Sequence, residues 1–210
     1  MRSNLNHVWP NPLYVTGTDT HVGKTYACAA LCAALGRDYW KPVQAGLDGP
    51  TDSEIVAKLS GARVWPERYR LRRAASPHAG SRDEGVVIQP TDFVAPTARP
   101  LVVEGAGGWM VPYATHPMVW QSDVVRALEL PVVVVARTSL GTLNHTLSTL
   151  RAIRADSVRV AGLILVGESH PENEADLAIM GETTVLARLP RLDETGAQFA
   201  TLVETIRAYR

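Results

Sequence analysis

The stretch "YVTGTDTHVGKTYACAA", Tyr14 to Ala30, decides how the chain reads. An apolar run ends at Gly17, and Gly23-Lys24-Thr25 opens an alanine-rich segment free of proline. A strand, a glycine loop and a helix in that order wrap an anion in successive backbone N–H groups, and the helix N-terminus adds its dipole. A lysine there reaches the terminal phosphates of a nucleotide, and the next hydroxyl faces Mg2+. The spacing is unusual. The common pattern has four residues between its first glycine and Gly-Lys-Ser/Thr. Here five separate Gly17 from Gly23, and Thr18 stands where a glycine would. Gly17, Thr18, Asp19, Thr20, His21, Val22, Gly23, Lys24 and Thr25 are therefore candidate nucleotide-binding residues on context rather than on spacing.

Outward from this loop, apolar runs bounded by turn residues recur at 13–16, 39–43, 100–108, 130–137 and 160–167, with a shorter one at 184–190. Consecutive Val, Leu and Ile, rather than alternation, predict strands buried on both faces. Helical stretches lie between them at 24–35, 51–61, 120–130, 142–155, 171–181 and 194–209. Strand–helix alternation gives an α/β fold, a mostly parallel sheet covered on both sides. Residues 62–99 are the least readable part, and their basic cluster (Arg68, Arg70, Arg72, Arg73) reads either as a solvated face or as a phosphate site. Residues 1–12 read as a flexible leader and 13–210 as one domain.

The bulk properties narrow the classes. Lys plus Arg equal Asp plus Glu, 21 each, so the formal net charge is zero and nothing draws the chain to nucleic acid or an acidic membrane. No apolar run is long enough to span a bilayer, and no signal peptide is apparent. Cys28 and Cys32 lie four apart on a predicted helix, without a second ligand pair, and read as buried thiols. They fit a reducing cytosol, so a cytoplasmic protein is expected.

Ligands of parallel sheets bind beyond the carboxyl ends of the strands. At those ends Lys41 precedes Pro42, where a second ammonium can neutralise charge developing in phosphoryl transfer. Asp52 begins a helix, as a cap or as a magnesium ligand. Glu104 ends an apolar strand, where an acid has no packing purpose, and Gly105, Gly107 and Gly108 let backbone approach a ligand closely. Gly141 and Thr142 open a helix whose free N–H groups suit a carboxylate, although Thr142 or Asn144 can simply cap it.

Together "VTGTDTHVGKT", "KPVQAG", "ASPH", "LVVEGAGGWMVP", "LPVVVVAR" with "SLGTLNH", and "VAGLIL" resemble the dethiobiotin synthetase family, in the family's order over about residues 13–190. The resemblance implies a P-loop NTPase-type three-layer α/β/α fold, a homodimer, and an ATP-dependent cyclo-ligase of biotin biosynthesis. It implies 7,8-diaminononanoate, CO2 or bicarbonate, and ATP or another nucleoside triphosphate with Mg2+. A substrate amine becomes a carbamate, takes the γ-phosphoryl group as a mixed anhydride, and is closed into a ring by the second amine. By the same resemblance Lys24 contacts the β- and γ-phosphates, and Thr25, Asp52 and Glu104 hold Mg2+. Thr20 and Lys41 act on the diamine, the carbamate and the transferring phosphoryl. Ala45, Gly105, Ala106 and Gly107 lie along the substrate. Gly105, Val166, Gly167, Glu168 and Pro190 join the nucleotide site. Gly141, Thr142, Leu143 and Asn144 bind the distant substrate carboxylate across the dimer interface.

Three departures stand out. Ala45 replaces a family Ser or Thr. Val166 stands where members that select adenine carry Asn. Residues 84–99 are short for the usual helix before the glycine strand. Three alternatives compete: a partitioning or division-site ATPase that switches partners, an amidoligase domain, and a non-catalytic relative. The first needs a lysine early in the loop, where Thr18 stands; the second needs a glutaminase domain; the third fits poorly with Lys24, Lys41, Asp52 and Glu104 all present.

Overall fold

A computed structural model describes residues 9–96, 100–191 and 198–209. In chain order the elements are β1 (Leu13–Gly17), α1 (Lys24–Leu35), β2 (Asp38–Trp40), β3 (Val43–Ala45), α2 (Asp52–Ser60), β4 (Val64–Trp65), β5 (Tyr69–Leu71) and α3 (Pro77–Asp83). A short 3-10 turn at Pro90–Asp92 leads to β6 (Leu101–Gly108), β7 (Pro112–Thr115), β8 (Met118–Trp120), α4 (Gln121–Leu128) and β9 (Val132–Arg137). The chain continues through α5 (Thr142–Ala155), β10 (Val160–Val166), α6 (Pro171–Met180), β11 (Val185–Leu189) and α7 (Phe199–Ala208).

Seven strands form one parallel sheet in the order β11-β10-β9-β1-β6-β2-β4. The period of two in each continuous apolar strand sorts its residues to two cores. Leu13, Val15, Val102, Val133, Val135 and Ile164 face α1, with Val56 of α2 and Leu202, Val203 and Ile206 of α7. Tyr14, Val103, Val132, Val134, Leu163 and Leu165 face the other side, with Val124 of α4, Leu150 and Ile153 of α5, and Leu177 of α6. The three-layer α/β/α arrangement follows, and β1 lies at its centre. Among the described residues no helix is long and apolar enough to cross a membrane.

The strand predicted at 39–43 is broken into β2 and β3. Pro42 has no N–H to give a ladder, while its carbonyl accepts from the N–H groups of Arg68 and Tyr69. The chain therefore leaves the main sheet after Trp40, and β3 pairs with β5 in a separate two-stranded sheet. The antiparallel β7–β8 hairpin lies between the strand predicted at 100–108 and the helix predicted at 120–130, where the sequence predicts no element. Between residues 84 and 96 the 3-10 turn is the one helical element among the described residues, and 97–99 lie outside them.

Residues 9–12, assigned to the leader from sequence, are packed. Trp9 is buried in the α1 face. Arg37 donates to the carbonyls of Trp9 and Pro10, and Leu101 N–H donates to Asn11 Oδ1. The burial of one indole and three hydrogen bonds attach what polarity alone left free. Residues 1–8 lie outside the described residues, as do 194–197 of the predicted last helix. Cys28 and Cys32 are free and buried, as read. The four arginines are exposed, and three of them pair locally: Arg68 with Asp92, Arg70 with Glu67, and Arg73 with Asp83. That is the solvated-face reading.

Candidate active site

A parallel sheet points the carboxyl ends of all its strands to one edge. Its order sets β1 between β6 and β9, with β2 beyond β6 and β10 beyond β9. The loop from Gly17 to Thr25 thus lies between Glu104 and Lys41 on one side and Arg137 and Val166 on the other. A cleft of about 1100 Å3 opens along this edge, lined by the loop from Thr20 to Thr25 together with Lys41, Asp52, Glu104, Ala106 and Gly107. Ala45, Val166, Gly167, Glu168 and Pro190 line it too.

The loop is held by close backbone packing. Gly23 has φ +99°, a conformation that strains any residue with a Cβ. A Cβ at Gly108 would come within 3.3 Å of the Thr18 carbonyl. Lys24 Nζ donates to the Asp19 carbonyl at 3.0 Å, folded onto its own loop. Burial holds this ammonium below its ordinary pKa. Asp19 itself caps the loop from within, accepting from Thr20 N–H and pairing with Arg137 at 3.3 Å.

Beside the loop, four side chains meet. Thr25 Oγ1 donates to Asp52 Oδ1 at 2.6 Å and lies 3.1 Å from Glu104 Oε1. Lys41 Nζ reaches Asp52 Oδ2 at 2.5 Å and Glu104 Oε1 at 3.2 Å. Burial acts to lower the pKa of Lys41, but Glu104 and Asp52 outweigh it and hold the ammonium above its ordinary value. For Asp52 burial acts upward, and Lys41 and the Thr25 hydroxyl overturn it, leaving the carboxyl below its ordinary value. Lys41 is a fixed cation here, not a base.

Asp52 is free for this cluster because Thr51 caps the helix. The Thr51 side chain accepts from Glu54 N–H, and the Glu54 carboxylate accepts from Thr51 N–H. Of the two roles open to Asp52 from sequence, capping is therefore taken by its neighbour. The donors facing one another are a hydroxyl and two carboxylates, all oxygen, the set that suits a hard divalent ion such as Mg2+. With Asp52 Oδ1 turned to Thr25 and Oδ2 to Lys41, the residues present fit such an ion at the start of α1.

Other predicted residues fall elsewhere. Gly105 is buried behind the cleft surface, where a Cβ would clash with Gln121 Oε1 and the Tyr14 hydroxyl. Its carbonyl lies 3.5 Å from Lys41 Nζ. Gly141, Leu143 and Asn144 do not line the cleft, and Thr142 lines a separate small depression with Thr18, Arg137, Ser139, Leu140 and His145. Gly141 caps α5 with no side-chain hydrogen bond, so neither Thr142 nor Asn144 has the capping role. At the far end, Val166 packs its methyls toward Gly23. The Val166 carbonyl accepts from Thr138 N–H and Gly167 N–H donates to the Leu189 carbonyl, so these two groups are already engaged.

Sequence reasoning missed several residues. Tyr39 donates to Glu104 Oε2 at 2.9 Å. Beneath the glycine strand, Gln121 donates to Thr16 Oγ1 and the Gly108 carbonyl, and Tyr113 donates to Gln121 Oε1. Arg137 faces both the cleft and the depression. Gln121, at a helix start, carried no sequence signal. Tyr39 opened a predicted strand and carried no role from sequence.

Comparisons with known proteins bear on family and fold. A family model described as an AAA domain matches residues 11–198. A protein of Brucella ovis named ATP-dependent dethiobiotin synthetase BioD is 47% identical over 186 residues, covering 87% of each chain. One of the same name from Brucella abortus is 46% identical over the same share. Among solved structures, a ParA family ATPase from Chlorobium tepidum covers 95% of this chain and 98% of its own, with a TM-score of 0.60 at 11% identity. A cell division ATPase MinD from Pyrococcus furiosus gives a TM-score of 0.52 at 14% identity, covering 96% of this chain and all of its own. These two share the fold alone; the sequence relatives carry the kinship, and the chain belongs to the ATP-dependent dethiobiotin synthetase family.

Proposed function

We propose that this protein forms dethiobiotin from 7,8-diaminononanoate, CO2 and ATP, with Mg2+, as an ATP-dependent cyclo-ligase. The observation that carries the reading is the meeting of Lys24, Thr25, Lys41, Asp52 and Glu104 at the edge of one cleft, in a chain of this family. An amine of the diamine adds to CO2 and loses a proton, giving a carbamate. A carbamate oxygen attacks the γ-phosphorus, and ADP leaves. The second amine then attacks the carbonyl carbon of the mixed anhydride, closing the ring and releasing phosphate.

Each step places negative charge beside Lys41, which stays protonated between two carboxylates. Its preset orientation stabilises charge without reorganisation at the moment of reaction. Lys24 leaves the Asp19 carbonyl for the β- and γ-phosphates. Thr25, Asp52 and Glu104 would hold Mg2+, which would supply charge neutralisation to the phosphates. Thr20, with Ala106 and Gly107, lines the wall where the diamine lies. At Ala45 no hydroxyl assists it.

The distant carboxylate of the substrate binds the start of α5 in a second copy of the chain. Support comes from the N-cap at Gly141, which leaves the first N–H groups of α5 without a side-chain partner, and from Leu140, which is fully exposed beside it. The test is direct. Purified protein is incubated with 7,8-diaminononanoate, bicarbonate, Mg2+ and ATP, and dethiobiotin is sought by mass spectrometry. Its absence, with nucleotide hydrolysis unaffected by the diamine, overturns the reading. Sedimentation at several concentrations tests the homodimer, and a monomer that forms dethiobiotin at full rate rejects the shared site.

A further inference from the structure

Glu104 is 1% exposed, and both its oxygens are engaged. Oε1 meets the Thr25 hydroxyl and the Lys41 ammonium, while Oε2 accepts from the Tyr39 hydroxyl at 2.9 Å. Tyr39 is fully buried in the α1 face, on the strand next to β6. It pairs in register with Val102, so its hydroxyl reaches the carboxylate two residues further along. Burial and the nearby Glu104 carboxylate hold the Cys28 thiol above its ordinary pKa, and an S–H is in any case a weak donor. A phenol hydrogen-bonded to a carboxylate makes a charge-assisted bond of the stronger kind.

Two cations compete for Glu104 in the reading given above, on which this inference rests. One is the ammonium already within 3.2 Å; the other is the Mg2+ of the nucleotide. A carboxylate free to turn would swing its spare oxygen toward Lys41 and close that pair. We propose that Tyr39 is a positioning residue that pins Glu104 Oε2, keeping Oε1 directed to Thr25 and the metal-nucleotide, so that Tyr39 sets the affinity for Mg2+. Partners that orient metal ligands in this way typically contribute about 10- to 100-fold in metal affinity.

The experiment is Mg2+ titration of the binding of a fluorescent ATP analogue, which needs neither the diamine nor turnover. Tyr39→Phe keeps the ring and its packing and removes only the donor. It is expected to raise the half-saturating Mg2+ concentration about tenfold, while nucleotide binding in EDTA stays unchanged. Tyr14→Phe is the control: an equally buried phenol whose hydroxyl meets Tyr113 at 3.2 Å. It is expected to lower the melting temperature and leave the Mg2+ dependence in place. In a Glu104→Gln background, Tyr39→Phe is expected to add no further shift. An unchanged Mg2+ dependence in Tyr39→Phe overturns the proposal. So does an equal shift in Tyr14→Phe, or a shift that persists undiminished beside Glu104→Gln. Should Tyr39→Phe not fold, Tyr39→Met, which also lacks the donor, is titrated in its place and read by the same criterion. If the Mg2+ shift appears but no dethiobiotin is made by the native protein, the positioning role stands and the assigned reaction fails.

Discussion

Lys41→Met removes one charge and keeps most of the volume. Lys41 is 4% exposed and Glu104 1%, and the ammonium lies 2.5 Å from Asp52 and 3.2 Å from Glu104. Breaking a buried pair by deleting one partner costs about 3–5 kcal/mol, because the other charge stays buried. Water reaches Asp52 and the Thr25 hydroxyl supports it, so the lower end applies, about 3 kcal/mol. At roughly 2–4 °C per kcal/mol for a chain of this size, the melting temperature falls by roughly 6–12 °C. Mg2+ with nucleotide returns positive charge to the two carboxylates, so most of that loss should be recovered in their presence. Catalysis behaves differently. A preorganised charge aimed at the transition state contributes about 10²–10³ in kcat, and nothing bound later replaces its position. The assay is kcat, KM and nucleotide Kd for both proteins, beside thermal unfolding with and without Mg-ATP. The expected pattern is a large loss in kcat, nucleotide Kd within about threefold, and a stability loss that Mg-ATP repairs. Turnover within a few-fold of the native protein refutes the reasoning, as does a stability loss that Mg-ATP leaves untouched.

Other outcomes follow from the same geometry. Glu104→Gln should raise the Mg2+ needed for half-maximal nucleotide binding by about tenfold or more; an unchanged titration rejects Glu104 as a ligand. Gly105→Ala should lower stability by about 1–3 kcal/mol, as overpacking does, because its Cβ would meet Gln121 and Tyr14. Gly49→Ala, with open space around it, should not; equal melting temperatures for the two variants would contradict this. With Val166 turned to Gly23 and no amide to read the base, ATP, CTP and GTP should support turnover within about one decade, roughly 1.4 kcal/mol. A steep preference for ATP sinks that expectation. The pH dependence has a defined sign. Lys41 is held above its ordinary value, so its contribution is complete below about pH 10 and is lost only as pH rises through the raised value. Asp52 is held below its ordinary value, so its contribution is complete above about pH 4 and is lost as pH falls through the lowered one. The melting difference between native protein and Lys41→Met should therefore be flat from about pH 5 to pH 9; a difference that vanishes near neutrality means Lys41 is not the charged partner.

Much of this protein was legible from its residues in order. Continuous Val, Leu and Ile runs separated by helical stretches specify a parallel sheet between two helix layers, because only strands buried on both faces tolerate apolar residues at successive positions. The glycine loop with Lys24 and Thr25 needs no partner from elsewhere to be recognised, since its chemistry is local backbone followed by a helix start. Lys41 stood out as a charge just after an apolar strand, and Glu104 as a charge where an apolar run gives way to glycines; the structure sets Glu104 inside β6, which continues to Gly108, rather than at its end. In these cases a residue type conflicts with its immediate surroundings, and a conflict of that kind can be read in one dimension.

Tertiary structure decided what depends on pairs far apart in the chain. Only the sheet order brings Lys41 and Glu104 within 3.2 Å of each other, 63 residues apart. Asp52 stood open as a cap or a ligand until Thr51 took the capping role and left its carboxylate to Lys41 and Thr25. Tyr39 was one residue of a predicted strand until the register of β2 on β6 set its hydroxyl against Glu104. Trp9 looked like part of a loose leader until Arg37 supplied donors for its backbone. Local patterning selects the element each residue joins, because propensity and periodicity act over a few positions. Which hydrogen-bond donor meets which buried acceptor is set by how those elements stack, and no run of sequence contains both partners.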